Sequence, residues 1–223
     1  MTKPQRILVF FALPLALVAS GIAHADSTTG PIITFRKVFK SSYPEFVEIK
    51  VSQSGAGTCD IRQLDEQPSP QPFHIDPPLV QQIFDLAAKL HDFQGVDLEV
   101  HKHLASLGEK TFEYKNGAED YQVTFNYTLD PNGAALMNLF ENLSQQETDL
   151  SDLTRTMQYD VLGVNDVVAT IESHYNDHLL PEPAQFIAPL EKLASDPQYM
   201  DIARNRARNL ADRIRADNPQ ATK

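Results

Sequence analysis

Tryptophan is absent from this 223-residue chain, and cysteine occurs once, as Cys59. With one thiol no intramolecular disulfide can form, so the fold must rest on its hydrophobic core alone. Cys59 itself reads as a small buried hydrophobe in a strand. An intermolecular pair or a nucleophile is the functional alternative. Lack of tryptophan weakens the usual aromatic signature of a carbohydrate site. Tyr43, Tyr114, Tyr121 and Tyr127 could supply it, but the alternation around them assigns them first to the core. No Gly-x-Ser-x-Gly elbow occurs. Ser54-Gly55-Ala56-Gly57 lacks the leading glycine and sits where a hairpin turn is expected. Ser-x-x-Lys pairs and both glycine-rich phosphate loops are missing as well. Carboxylates are too abundant for any pair of them to point to glycoside hydrolysis.

The first 25 residues have the three parts of an export signal. Lys3 and Arg6 form a positive start, Ile7 to Ala19 is an apolar run of 13 residues broken at Pro14, and Ala23-His24-Ala25 offers a small-x-small cleavage site before Asp26. The run is shorter than the roughly 18–20 residues of a membrane anchor. Cleavage between Ala25 and Asp26 removes 25 of 223 residues and leaves 198, enough for a sizeable core. No second apolar run is long enough to span a bilayer. Losing Lys3 and Arg6 with the leader moves the formal charge from −11 to −13. Such an acidic surface disfavours nucleic acid and anionic membranes as partners. A periplasmic or secreted location is the expectation.

Period-two alternation marks strands at 32–40, 45–51, 58–64, 110–115 and 121–129. A contact between Glu48 or Lys50 and Asp60 or Arg62 is expected across the first hairpin. Prolines 68, 70, 72, 77 and 78 exclude helix and central strand from 65–78. That stretch ends in a helix start, with Asp76 as cap and Pro77 in the first turn, and the helix is expected to reach about Phe93. Residues 97–107 fit helix better than strand. After Asp130-Pro131-Asn132-Gly133 every pattern is helical, with a polar interruption between Leu143 and Leu150. The expectation is an α+β protein: a small antiparallel sheet with a packed helix, followed by an all-helical C-terminal part. The expected layout is a signal peptide at 1–25, an α+β domain at 26–130, a helical region at 131–216 and a disordered tail at 217–223.

Two histidine pairs carry the sharpest chemical signal. His101-Lys102-His103 would place both rings on one side of a strand, and His174 and His178 are one helical turn apart. Imidazoles at these spacings suit zinc or copper. The plainer reading is four solvated surface histidines, because neither pair sits in a known zinc motif. The arginines at 204, 206, 208, 213 and 215 read as a solvated helix face, or as a dock for an acidic partner, this protein's own acidic part included.

Gly108-Glu109-Lys110-Thr111-Phe112, Phe125-Asn126-Tyr127-Thr128 and Tyr159-Asp160-Val161-Leu162-Gly163-Val164 together resemble uncharacterised exported proteins of soil bacteria. The resemblance implies a bacterial envelope or secreted location and no particular chemistry. The resulting expectation is an exported, non-catalytic binding or interaction protein with a protein partner in the envelope. The alternative is a metal-dependent hydrolase using His101, His103, His174 and His178, with zinc as its cofactor.

Overall fold

The computed structural model describes residues 30–218. The leader at 1–25, its cleavage point between Ala25 and Asp26, and the tail from 219 onward lie outside the described residues. Helix α5 (Asp201–Asp217) takes in Asp217, the first residue assigned to the expected tail.

The protein is α+β. Strands β1 (Ile32–Val38), β2 (Phe46–Ser52), β3 (Ala56–Arg62) and β4 (Gln71–His74) form a meander. After helix α1 (Pro77–Lys89), strands β5 (Glu109–Asn116) and β6 (Glu119–Phe125) add on the far side of β1. The six-stranded sheet has the order β4-β3-β2-β1-β5-β6, and every neighbouring pair is antiparallel. Val47, Ile49 and Val51 are buried, as their alternation requires. β4 is an edge strand, the one sheet position that tolerates Pro72.

One face of the sheet, carrying Ile33, Phe35, Ile49, Phe112 and Phe125, packs against α1 and the first half of α2 (Pro131–Tyr159). Phe35 stacks on Phe140 of α2 at 5.3 Å between ring centroids, and Phe93 stacks on Phe112 at 5.3 Å. Burying one such ring contributes about 1.5–3 kcal/mol. The opposite face is polar. There Glu48 pairs with Arg36 and Lys50, each at 2.8 Å, and Asp60 pairs with Arg62 of its own strand. The expected contact between β2 and β3 is therefore replaced by one between β2 and β1, because Arg36 lies directly opposite Glu48 in the register.

Residues 97–107 are not helical. Leu104 and Leu107 are exposed, and the segment is tied to the end of β6 by Asn126, which accepts from Leu107 N at 2.7 Å and donates to Ala105 O at 3.1 Å. α1 stops at Lys89, short of Phe93, because His91, Asp92 and Phe93 all turn left-handed (φ 55°, 51° and 70°) to carry Phe93 into the core.

α2 runs unbroken through the polar interruption. Leu136, Leu139, Phe140 and Leu143 belong to the sheet's core. Leu153 belongs to a second core with α3 (Val164–Asn176), α4 (Ile187–Ser195) and α5. The pattern change at 130 is thus the start of α2, while the two cores divide part way along it.

Candidate functional site

Between the two cores α2 carries Ser144-Gln145-Gln146-Glu147-Thr148-Asp149. These residues face several ways, and three kinds of contact follow. Gln146 and Asp149 point inward and are 0% and 4% exposed. Gln146 Oε1 accepts from Glu182 N at 2.8 Å, and Glu182 Oε1 accepts from Asp76 N at 2.5 Å. This chain of bonds ties α2 to the segment before α4 and to the start of α1. Asp149 Oδ2 lies 2.6 Å from His174 Nδ1 on α3, and its Oδ1 accepts from Gln145 Nε2 at 2.9 Å. The waist of the molecule is therefore a polar seam flanked by apolar cores.

The third direction faces solvent, where two clefts of about 770 and 700 Å³ meet. Both are lined by Tyr43, Ile61, Thr148, Asp152 and Arg155. One continues between the end of β1 and α2 past Lys37 and Glu141. The other continues along α2 to Gln158 and Tyr159, with Cys59, Ser69 and Gln71 opposite. Volumes of this size are typical of ligand clefts.

The loop between β1 and β2 holds Tyr43 over the junction. Phe39 N donates to Glu45 O at 2.8 Å, Ser41 N donates to Glu45 Oε1 at 2.6 Å, and the Ser42 hydroxyl reaches Phe39 O at 2.6 Å. The loop is thus braced, yet Tyr43 is 92% exposed. This overturns its assignment to the core. Tyr114 and Tyr121 do pack against the core. Tyr43 and Arg155 of α2 line both clefts, and the Arg155 guanidinium is bonded to Asp152 at 2.7 Å.

Two groups in the cleft are strongly shifted. Burial pushes the Glu147 carboxyl up to about 7, with the nearby Gln146 amide opposing and the Glu182 carboxylate adding to the rise. Neither Glu147 Oε1 nor Gln146 Nε2 has a hydrogen-bond partner of normal geometry among the described residues. Burial also pushes the Cys59 thiol up to about 12, helped by the charges of Glu147 and Asp60. Cys59 is therefore the buried small residue of a strand that its position implied, and its thiolate is unavailable near neutral pH.

The histidine pairs behave differently from one another. His101 and His103 lie in the exposed irregular segment, not in a strand, and His101 Nε2 is 2.7 Å from Asp97 Oδ2. His174 is half-buried against Asp149 rather than solvent-facing. His178 does not share its helical face: α3 ends at Asn176, and His178 follows in a left-handed conformation (φ 57°). Among the described residues no group of three or more His, Cys, Asp or Glu side chains is placed to hold a metal ion. The two pairs are not brought into one ligand set.

The arginines of α5 are answered within the chain. Arg213 donates to Glu172 Oε1 at 2.9 Å, Arg206 lies 3.6 Å from Glu172 Oε2, and Arg215 is bonded to Asp212 at 3.0 Å and to Glu191.

Comparison with protein-family models finds no match, and neither does comparison with curated proteins. Of the residues that form the cleft, sequence reading singled out Tyr43, Cys59 and Arg62, quoted Tyr159 only within a resemblance, and passed over Glu147, Asp152 and Arg155. Glu147 left a trace in the polar interruption of α2, which reads as a break until both flanking segments are seen to be one helix, while Asp152 and Arg155 lie in the helical stretch beyond it.

Proposed function

We propose that this is an exported, non-catalytic binding protein of the bacterial envelope, and that its ligand occupies the double cleft under Tyr43. One observation carries the reading: a braced loop holds a nearly fully exposed aromatic ring over the place where two ligand-sized clefts join. Preorganised, rigid aromatic side chains are effective contact groups because little conformational entropy is lost on binding. Two further features support it. The cleft's one thiol is held protonated, and Arg155 and Lys37 are already engaged by Asp152 and Glu141. The export part rests on the basic start, apolar run and Ala-x-Ala site of the leader.

The test has two arms. Expressed with its leader in a Gram-negative host, the protein should be recovered from the periplasm or medium with Asp26 at its N-terminus; recovery from the cytosol with Met1 intact refutes export. The mature chain, incubated with size-fractionated envelope extract, should show slowed amide exchange at 41–45 and 147–159 with at least one fraction, and the captured compound should be released unchanged. If no fraction protects these segments, the binding reading fails.

A further inference from the structure

We propose that the ligand of this cleft is an uncharged oligosaccharide, stacked on Tyr43 and Tyr159. The proposal rests on the binding reading above and names the ligand class.

Charge comes first. The cations lining the two clefts are Lys37, Arg62 and Arg155. Each is paired: Lys37 with Glu141 at 2.7 Å, Arg155 with Asp152 at 2.7 Å, and Arg62 with Asp60 at 3.1 Å while also lying over the Phe46 ring at 4.1 Å. The walls also carry Glu66 and Glu147. Among the described residues a phosphate or carboxylate ligand finds no unengaged positive charge in this cleft and meets surplus acid.

Backbone comes second. A peptide adding as a strand would use the open edge of β4, next to Ser69 and Gln71 in the cleft wall. Pro72 removes a donor from that four-residue strand, and Pro68 and Pro70 remove donors from the segment leading into it.

What the walls do offer suits a polyol. Ser151, Thr154, Arg155 and Gln158 follow the helical spacings that give α2 one continuous polar stripe, and Gln71 faces it from β4. Hydroxyl, amide and guanidinium groups are the directional partners of sugar hydroxyls. Tyr43 and Tyr159, 92% and 75% exposed, line the same cleft. Tyr43 reaches this cleft from the loop between β1 and β2, and Tyr159 lines it from the end of α2. Each ring can cover the apolar face of a sugar unit, while the polar stripe of the same cleft takes the hydroxyls.

The mature chain should be titrated calorimetrically with cellotetraose, chitotetraose and maltotetraose, with tetragalacturonate and a lysine-rich octapeptide as charged comparators. The expected result is binding of at least one neutral tetrasaccharide. Tyr43→Ala and Tyr159→Ala should each weaken it about tenfold, the scale of one lost aromatic contact, and Tyr→Phe at either position should retain most of it. Both tyrosines are exposed, so far-ultraviolet circular dichroism should confirm that the alanine variants fold. Binding of a charged comparator in place of every neutral sugar overturns the saccharide assignment but leaves the binding reading intact. Neutral-sugar binding that ignores both tyrosine substitutions overturns it too. Failure of the envelope fractions to protect the cleft removes the binding reading itself.

Discussion

At the scale of single residues, several side chains are explained by what their backbone must do. His178 is the clearest. Leu179 N donates to His174 O at 2.9 Å and His178 N to Tyr175 O at 3.2 Å, the paired bonds that close a helix through a left-handed residue. His178 occupies the position glycine normally takes, and its spacing from His174 reflects the end of α3 rather than a ligand pair. His178→Gly should therefore raise stability by roughly 0.5–1 kcal/mol, the left-handed penalty less the freedom glycine gains on unfolding. Urea denaturation measures this, with His178→Ala, which keeps the penalty, as the comparison. An unchanged or lower midpoint for the glycine variant would contradict the assignment.

At the scale of elements, the helix starts show how far local chemistry reaches. Both Asp76 and Asp130 precede a proline and look like equivalent caps. Asp130 Oδ1 accepts from Asn132 N at 2.9 Å and Gly133 N at 2.8 Å. The Asp76 side chain makes no cap bond; its backbone N–H is spent on Glu182 instead. Asp130→Ala should cost about 1 kcal/mol and Asp76→Ala much less. Equal losses in thermal or urea unfolding would show that the two starts are alike after all. Five of the six strands, α1 and the C-terminal helices were legible because period-two and period-3.6 burial is written locally, whereas β4 lay inside the proline-rich stretch read as a connection. The segment 97–107 was not, because its hydrogen bonds go to Asn126, Tyr127 and other groups far along the chain.

At the scale of the whole molecule, the polar seam makes stability depend on pH. Glu147 titrates near 7 when folded, against 4.5 for an ordinary glutamate. As pH rises from about 4.5 to 7 the unfolded chain ionises this carboxyl while the folded chain resists, so folding stability falls across that window and stays reduced above it. With its partial solvent exposure allowed for, the loss is about 1–2 kcal/mol. Glu182, raised chiefly by burial, acts in the same direction. Glu48 acts oppositely: burial would raise it, but Lys50 and Arg36 hold it below the ordinary value, so its contribution is lost only as the solution becomes more acid. Glu147→Gln should flatten the decline between pH 4.5 and 7, with a stability gain over the parent chain that grows with pH. Melting profiles that run parallel for the two proteins would rule out Glu147 as its source.

The amino-acid sequence alone determined the fold class of this protein and most of its core, because alternation, helical spacing, prolines and caps act over a few residues. Its site was decided by tertiary structure. Tyr43 reads as a core residue until the loop that lifts it clear is in place, and Glu147 is an ordinary glutamate until the sheet covers it. Exposure and desolvation are set by what packs alongside a residue, and its neighbours in sequence carry no record of that.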